Sequence, residues 1–96
     1  FGIVILVKGK YDIVAPPAGG AVRISGGNSG MTKGGTGDVL AGLVAALYCK
    51  NDAFLSAAAG SYINKKAGES LEEKMGIYFN ASDLAAEIPN VMKEIL

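Results

Sequence analysis

The stretch Gly34-Gly35-Thr36-Gly37-Asp38 runs without a break into Val39-Leu40-Ala41-Gly42-Leu43-Val44-Ala45-Ala46-Leu47. This join limits the possible folds more than any other feature of the chain. Glycines admit backbone conformations closed to other residues and let the main chain approach a ligand closely, so successive amide N–H groups can converge on one anion. In the apolar run that follows, Val39, Leu40, Leu43, Val44 and Leu47 recur at helical spacing, and Ala41, Ala45 and Ala46 fill most of the rest. This predicts a helix buried nearly all round. Its first turn adds unpaired N–H donors and the positive end of the dipole to the glycine loop, a setting for phosphate or a developing negative charge. Asp38 has two readings there: a helix N-cap that accepts an amide hydrogen bond, or a carboxylate that handles a proton beside a bound anion. Gly30, Gly34, Gly35 and Gly37 together are more glycine than a plain cap needs.

Upstream of the loop the sequence reads as strands. Ile3 to Val7 is a continuous apolar run, the pattern of a strand buried on both faces in a parallel or mixed sheet, and Lys8-Gly9-Lys10 breaks it. Tyr11 to Ala15 and Ala21 to Ser25 are further short strands. Pro16-Pro17-Ala18-Gly19-Gly20 between them cannot continue a ladder, so the two pair as an antiparallel hairpin. Gly26 to Gly37 reads as loop. After the first helix, ended by Lys50-Asn51, Asp52 caps a second helix through Phe54, Leu55, Ala58 and Tyr62, with Lys65 and Lys66 as a solvated last turn before Gly68. Glu69 to Lys74 is polar, a helical turn or loop. Asn80 or Ser82 caps a segment from Asp83 to Ile88, and Pro89 opens a fresh turn ending in Val91 to Leu96. The class is α/β.

Ninety-six residues make one small domain at most. Phe1 opens almost directly onto a buried-type strand, so the expectation is a fragment of something longer. Nine basic and nine acidic residues cancel, and no global field draws the chain to nucleic acid or to a membrane surface. Any anion must be held locally. Cys49 is the single cysteine and there is no histidine, which excludes an intrachain disulfide, a cysteine-rich zinc site and a His-based triad within these residues. Val39 to Cys49, interrupted by Gly42, is about half the roughly 20 residues of a membrane span, so a cytoplasmic setting is expected. No Gly-x-x-x-x-Gly-Lys-Ser/Thr is present, and Leu40 stands where a dinucleotide fingerprint after Gly35-Thr36-Gly37 needs its third glycine.

Two segments carry a resemblance. Lys8-Gly9-Lys10-Tyr11-Asp12, followed by Asn28-Ser29-Gly30-Met31-Thr32-Lys33-Gly34-Gly35-Thr36-Gly37-Asp38-Val39-Leu40-Ala41-Gly42, is similar to the carboxyl-terminal part of the ADP/ATP-dependent NAD(P)H-hydrate dehydratases of the ribokinase-like superfamily. The likeness extends through Asn80-Ala81-Ser82-Asp83-Leu84 to the Pro89 turn. It implies a three-layer αβα fold of which this chain, residues 1–96, is the carboxyl-terminal, nucleotide-binding and catalytic part, with much of the substrate site upstream.

The resemblance also implies roles. Lys8, Gly9, Lys10, Tyr11 and Asp12 would line an adenine nucleotide, ADP or ATP, with Lys8 near phosphate. Asn28, Ser29, Gly30, Met31, Thr32, Lys33, Gly34, Gly35, Thr36 and Gly37 would wrap it and form the anion hole with backbone amides. Asp38 would face the NADH or NADPH hydrate and take the proton of its ring hydroxyl as the phosphoryl group arrives, after which phosphate leaves. Mg2+ is expected with the nucleotide, held by phosphates and water, and a homo-oligomer is the implied assembly. Gly26-Gly27 and Ser29 depart from the usual pattern by adding backbone freedom without removing a donor. Blander readings stand beside these: Lys10 and Lys33 as solvated loop lysines, Met31 as a packing plug, Asp12 as a turn residue. Two other functions fit the Gly-x-Gly-Asp element, a ribokinase-like kinase for a small sugar, alcohol or vitamin precursor, and a noncatalytic nucleotide-binding fragment.

Overall fold

The computed structural model describes residues 2–95. Three strands, β1 (Ile5–Val7), β2 (Asp12–Ala15) and β3 (Val22–Ile24), form an antiparallel meander in chain order. The register pairs Leu6 with Val14 and Val14 with Val22, and on the opposite face Val7 with Ile13 and Ile13 with Arg23. The expected hairpin is present, closed by a turn in which Gly19 N donates to Pro16 O at 3.2 Å. Strand β1 differs from its expectation. Its antiparallel pairing with β2 is one a mixed sheet allows, but it is not buried on both faces: Ile5 and Val7 are 49% and 56% exposed. Nothing among the described residues covers that face of the sheet.

The long loop holds a 3-10 turn, Ser29–Thr32, before the first helix, α1 (Thr36–Tyr48). α1 is not buried all round as its composition predicts: Thr36 and Leu40 are buried, Val39, Leu43, Val44 and Leu47 half-buried, and Ala41, Ala45 and Ala46 exposed. One stripe packs on a neighbour and the small-residue stripe is left open.

That neighbour is α2 (Ala53–Met75), and here the sequence reading breaks down most. Asp52 is the N-cap as expected, Oδ1 accepting from Leu55 N at 2.7 Å. The helix then runs straight through Lys65, Lys66 and Gly68 to Met75, so Glu69 to Lys74 is helix. Lys65 is buried, not solvated. Gly68 ends nothing; it is there for space, since a Cβ at this position would lie 2.2 Å from Met31 Sδ. α2 is the centre of the molecule, packed against α1, α3 and the β2–β3 side of the sheet.

The last helix, α3 (Ala81–Ile95), is also longer than its signals suggested. Of the two cap candidates, Asn80 is used: its Oδ1 accepts from Asp83 N, and Asp83 Oδ2 accepts from Asn80 N, both at 2.9 Å. This is a reciprocal capping box with Asp in the acidic place. Pro89 lies inside the helix instead of opening a new turn. A proline there removes the hydrogen bond to the carbonyl four residues back. Pro89 and Ala85 are both exposed, so that carbonyl meets solvent, while Leu84, Ile88 and Val91 hold the buried face together across it. The core joins these three to Met31, Ile63, Ala67, Leu71 and Phe79.

Candidate functional site

A cavity of about 770 Å³ opens where the β1–β2 turn, the glycine loop and α2 meet. From the turn it is lined by Lys8, Gly9, Lys10, Tyr11 and Asp12, from the loop by Gly26, Gly27, Asn28, Ser29, Met31 and Thr32, and from α2 by Asn64 and Lys65. Its size is within the range of small-molecule and cofactor sites. The two segments expected to share a ligand, separated by the fifteen residues 13–27 of hairpin and loop, thus face one space.

The turn is built from within. Asp12 is buried; Oδ1 accepts from Gly9 N at 3.0 Å and Oδ2 from Ser61 Oγ at 2.6 Å. Lys65 on α2 lies 3.5 Å from Asp12 Oδ1 and donates to the carbonyls of Gly9 and Lys10 at 3.3 and 3.4 Å. A buried ammonium and carboxylate therefore clamp the turn to the helix. Asp12 is a turn residue in this sense, and it also lines the cavity.

The loop is fixed in the same way. Asn28 caps the 3-10 turn, its Oδ1 accepting from Gly30 N at 2.9 Å, while its Nδ2 donates to Gly68 O at 2.8 Å. Gly27 N donates to Glu69 Oε2 at 3.1 Å. Met31 is buried in the core, the packing role weighed for it. Gly30 is also buried, with Phe79, Asn28 and the Ile77 carbonyl each within 3.0 Å of where a Cβ would stand, and it does not line the cavity. Lys33 is exposed, as its blander reading has it, but its ammonium is engaged: it donates to the carbonyls of Ile77 and Phe79 and sits 4.9 Å above the Phe79 ring.

Lys8 links the cavity to the start of α1. Its Nζ donates to Thr36 Oγ1 at 3.2 Å, and the buried Thr36 hydroxyl lies 2.7 Å from each of the Met31 and Lys33 carbonyls. With both carbonyls able only to accept, the hydroxyl proton is shared between them and the Lys8 ammonium meets the oxygen's lone pair. Gly35, at φ +89°, is the N-cap of α1, a left-handed conformation that favours glycine. Asp38 is therefore in the first turn and not at the cap; it is exposed, and its backbone N donates to Gly35 O at 3.1 Å. Lys33, Gly34, Gly35, Gly37 and Asp38 are exposed around the buried Thr36, and none of these six lines the cavity. Among the described residues no three His, Cys, Asp or Glu side chains gather as metal ligands.

Residues 1–90 match the family described as NAD(P)H-hydrate dehydratase. The chain belongs to this family. Its relatives include a bifunctional NAD(P)H-hydrate repair enzyme of Methanocaldococcus jannaschii, 51% identical over 89 residues, covering 93% of this chain and 18% of the relative. An ADP-dependent (S)-NAD(P)H-hydrate dehydratase of Cenarchaeum symbiosum is 44% identical over 94 residues, covering 96% of this chain and 32% of the relative. Among solved structures, the ADP/ATP-dependent NAD(P)H-hydrate dehydratase of Bacillus subtilis co-crystallised with ATP/Mg2+ superposes with a TM-score of 0.87 at 27% identity, over 97% of this chain and 34% of that one. The α/β fold is that of the dehydratases, and the chain spans between about a fifth and a third of the length of these relatives.

Within this dehydratase segment, sequence reasoning missed four cavity residues, Gly26, Gly27, Asn64 and Lys65. The glycines follow directly on a strand, and their place in the loop was legible. Asn64 and Lys65 were not, because a Lys-Lys pair before a glycine reads as a helix end until the glycine is known to sit under Met31.

Proposed function

We propose that the chain works as the nucleotide-binding and catalytic part of a longer enzyme that dehydrates hydrated NADH or NADPH at the expense of ADP or ATP. One observation carries this: Lys8, on the wall of the cavity, is bonded to Thr36 at the start of α1, so a nucleotide seated in the cavity would direct its phosphates toward the Gly34–Gly37 amides and the exposed Asp38. The cavity fits such a ligand in volume and in its mixture of ammonium groups, loop backbone and a Met31 wall. When bound, the nucleotide supplies the phosphoryl group that turns a ring hydroxyl into a leaving group. The chain supplies the rest. Lys8 and the amides of Gly34, Gly35 and Gly37 balance charge on the phosphates, since those of Thr36, Asp38 and Val39 are spent on the Lys33 and Gly35 carbonyls, and Asp38 accepts the hydroxyl proton. Mg2+ bound with the nucleotide would be held by phosphate and water, since no carboxylate cluster gathers among the described residues. A cytoplasmic setting and assembly with further copies belong to the same proposal.

The test is recovery of NADH absorbance from hydrated NADH by the longer protein, with and without ADP or ATP. Recovery that depends on nucleotide is expected, and Asp38→Asn should lower turnover by roughly 10²- to 10⁴-fold while nucleotide still binds. Wild-type turnover in that variant removes Asp38 as the base. A stable phosphorylated small alcohol with no NADH recovered favours a kinase, and absence of any turnover a noncatalytic module.

A further inference from the structure

Almost every buried polar side chain around the cavity is committed. Asp12 is held by Gly9 and Ser61, Asn28 spends both ends of its amide on the backbone, and Lys65 is shared between two carbonyls. Asn64 is the exception. It is 1% exposed, it lines the cavity from α2, and its Oδ1 has no hydrogen-bond partner among the described residues. Burying a carbonyl oxygen unpaired destabilises a fold, and native interiors do so rarely without a reason.

We propose that Asn64 selects the base of the nucleotide, its Oδ1 accepting from the exocyclic amino group of adenine; this rests on the reading of the cavity as an adenine-nucleotide site. The chemistry of the acceptor narrows the choice. Phosphate oxygens only accept, so they cannot satisfy Oδ1, and the cation available to them, Lys8, is already turned toward Thr36 at the other element. Ribose hydroxyls can donate but also accept elsewhere. The amino group of adenine is the one part of the ligand that acts solely as a donor. Hypoxanthine carries a carbonyl at the same ring position, so with an inosine nucleotide two acceptors would face one another and Oδ1 would stay unpaired. A site built around a hydrogen bond rejects the analogue that lacks it for this reason.

The experiment is calorimetric binding of ADP, inosine diphosphate and 2′-deoxy-ADP to the longer protein that carries this segment, unmutated and as Asn64→Leu, with thermal unfolding of both in the absence of nucleotide. The unmutated protein should prefer ADP to inosine diphosphate by about tenfold or more, the equivalent of one well-made hydrogen bond. In Asn64→Leu that preference should fall to within about threefold, while the nucleotide-free protein melts no lower than its parent because an unpaired acceptor has been removed. A merely structural asparagine would move stability and leave base preference alone. Equal affinity of the unmutated protein for ADP and inosine diphosphate overturns the role of Asn64 without any variant, as does a loss that falls on 2′-deoxy-ADP instead. If neither ADP nor inosine diphosphate binds, the nucleotide reading itself fails, an outcome distinct from base-blind binding.

Discussion

Lys65 shows how one side chain can matter more than its local sequence suggests. Both it and Asp12 are buried, with side chains 8% and 2% exposed, so removing one partner strands the other in a region of low polarity. Lys65→Met should destabilise the protein by about 3 kcal/mol, somewhat tempered because Asp12 keeps its bonds from Gly9 and Ser61. Adding Asp12→Asn should restore at least half of that loss, and urea unfolding of the two single variants and the double variant reads the difference. If the single variant is neutral, the ion pair does not clamp the turn. The same residue marks the limit of what was legible. The Gly34–Asp38 join, Lys8 and Asn28 were identifiable because their chemistry is local, whereas Lys65 and Asn64 gain their setting from a partner more than fifty residues away in one case and from a missing partner in the other. Spacing along a helix says nothing about either.

Between elements, the α2–α3 contact is tied at its open end by Glu87. Its carboxylate receives hydrogen bonds from Lys74 at 2.7 Å, from Asn90 at 2.9 Å and from Ser70. These donors, Lys74 foremost, hold its pKa down from 4.5 to about 2. A carboxyl group whose folded-state pKa lies below its unfolded value stabilises the fold fully above the unfolded value. That contribution is lost as the pH falls from 4.5 toward 2. Lys74 is 55% exposed, so solvent screens the pair and the contribution is roughly 1–2 kcal/mol. Glu87→Gln should therefore lower stability at neutral pH and flatten its decline through the acid range, as followed by circular dichroism; an unchanged acid profile would assign the decline to other groups. The sequence pattern found both helices but ended α2 early and split α3 at Pro89. Glycine and proline are reliable breakers only where nothing packs on them. Gly68 makes room for Met31, and Pro89 lies on the solvent side of a helix whose opposite face is core.

For the molecule as a whole, the two faces of the sheet differ. Leu6, Asp12, Val14 and Val22 share the face on which α2 packs, as the bond from Ser61 to Asp12 requires. Ile5, Val7, Ile13 and Ala15 share the other with Arg23, a largely apolar surface on which no helix packs among the described residues. A three-layer architecture supplies that cover with a second layer of helices, and relatives of which the matched region is only 18% to 32% have the chain to build it. The apolar run from Ile3 to Val7, read as buried on both faces, is then a property of the longer protein. Val7→Asp decides between the two states. On a solvated strand such a change costs within about 0.5 kcal/mol, whereas beneath a packed helix it buries an unpaired charge and costs several kcal/mol. In the longer protein the second outcome is expected, visible as a drop in the urea midpoint at unchanged slope. A neutral result would leave the sheet two-layered and count against a second layer of helices on this face.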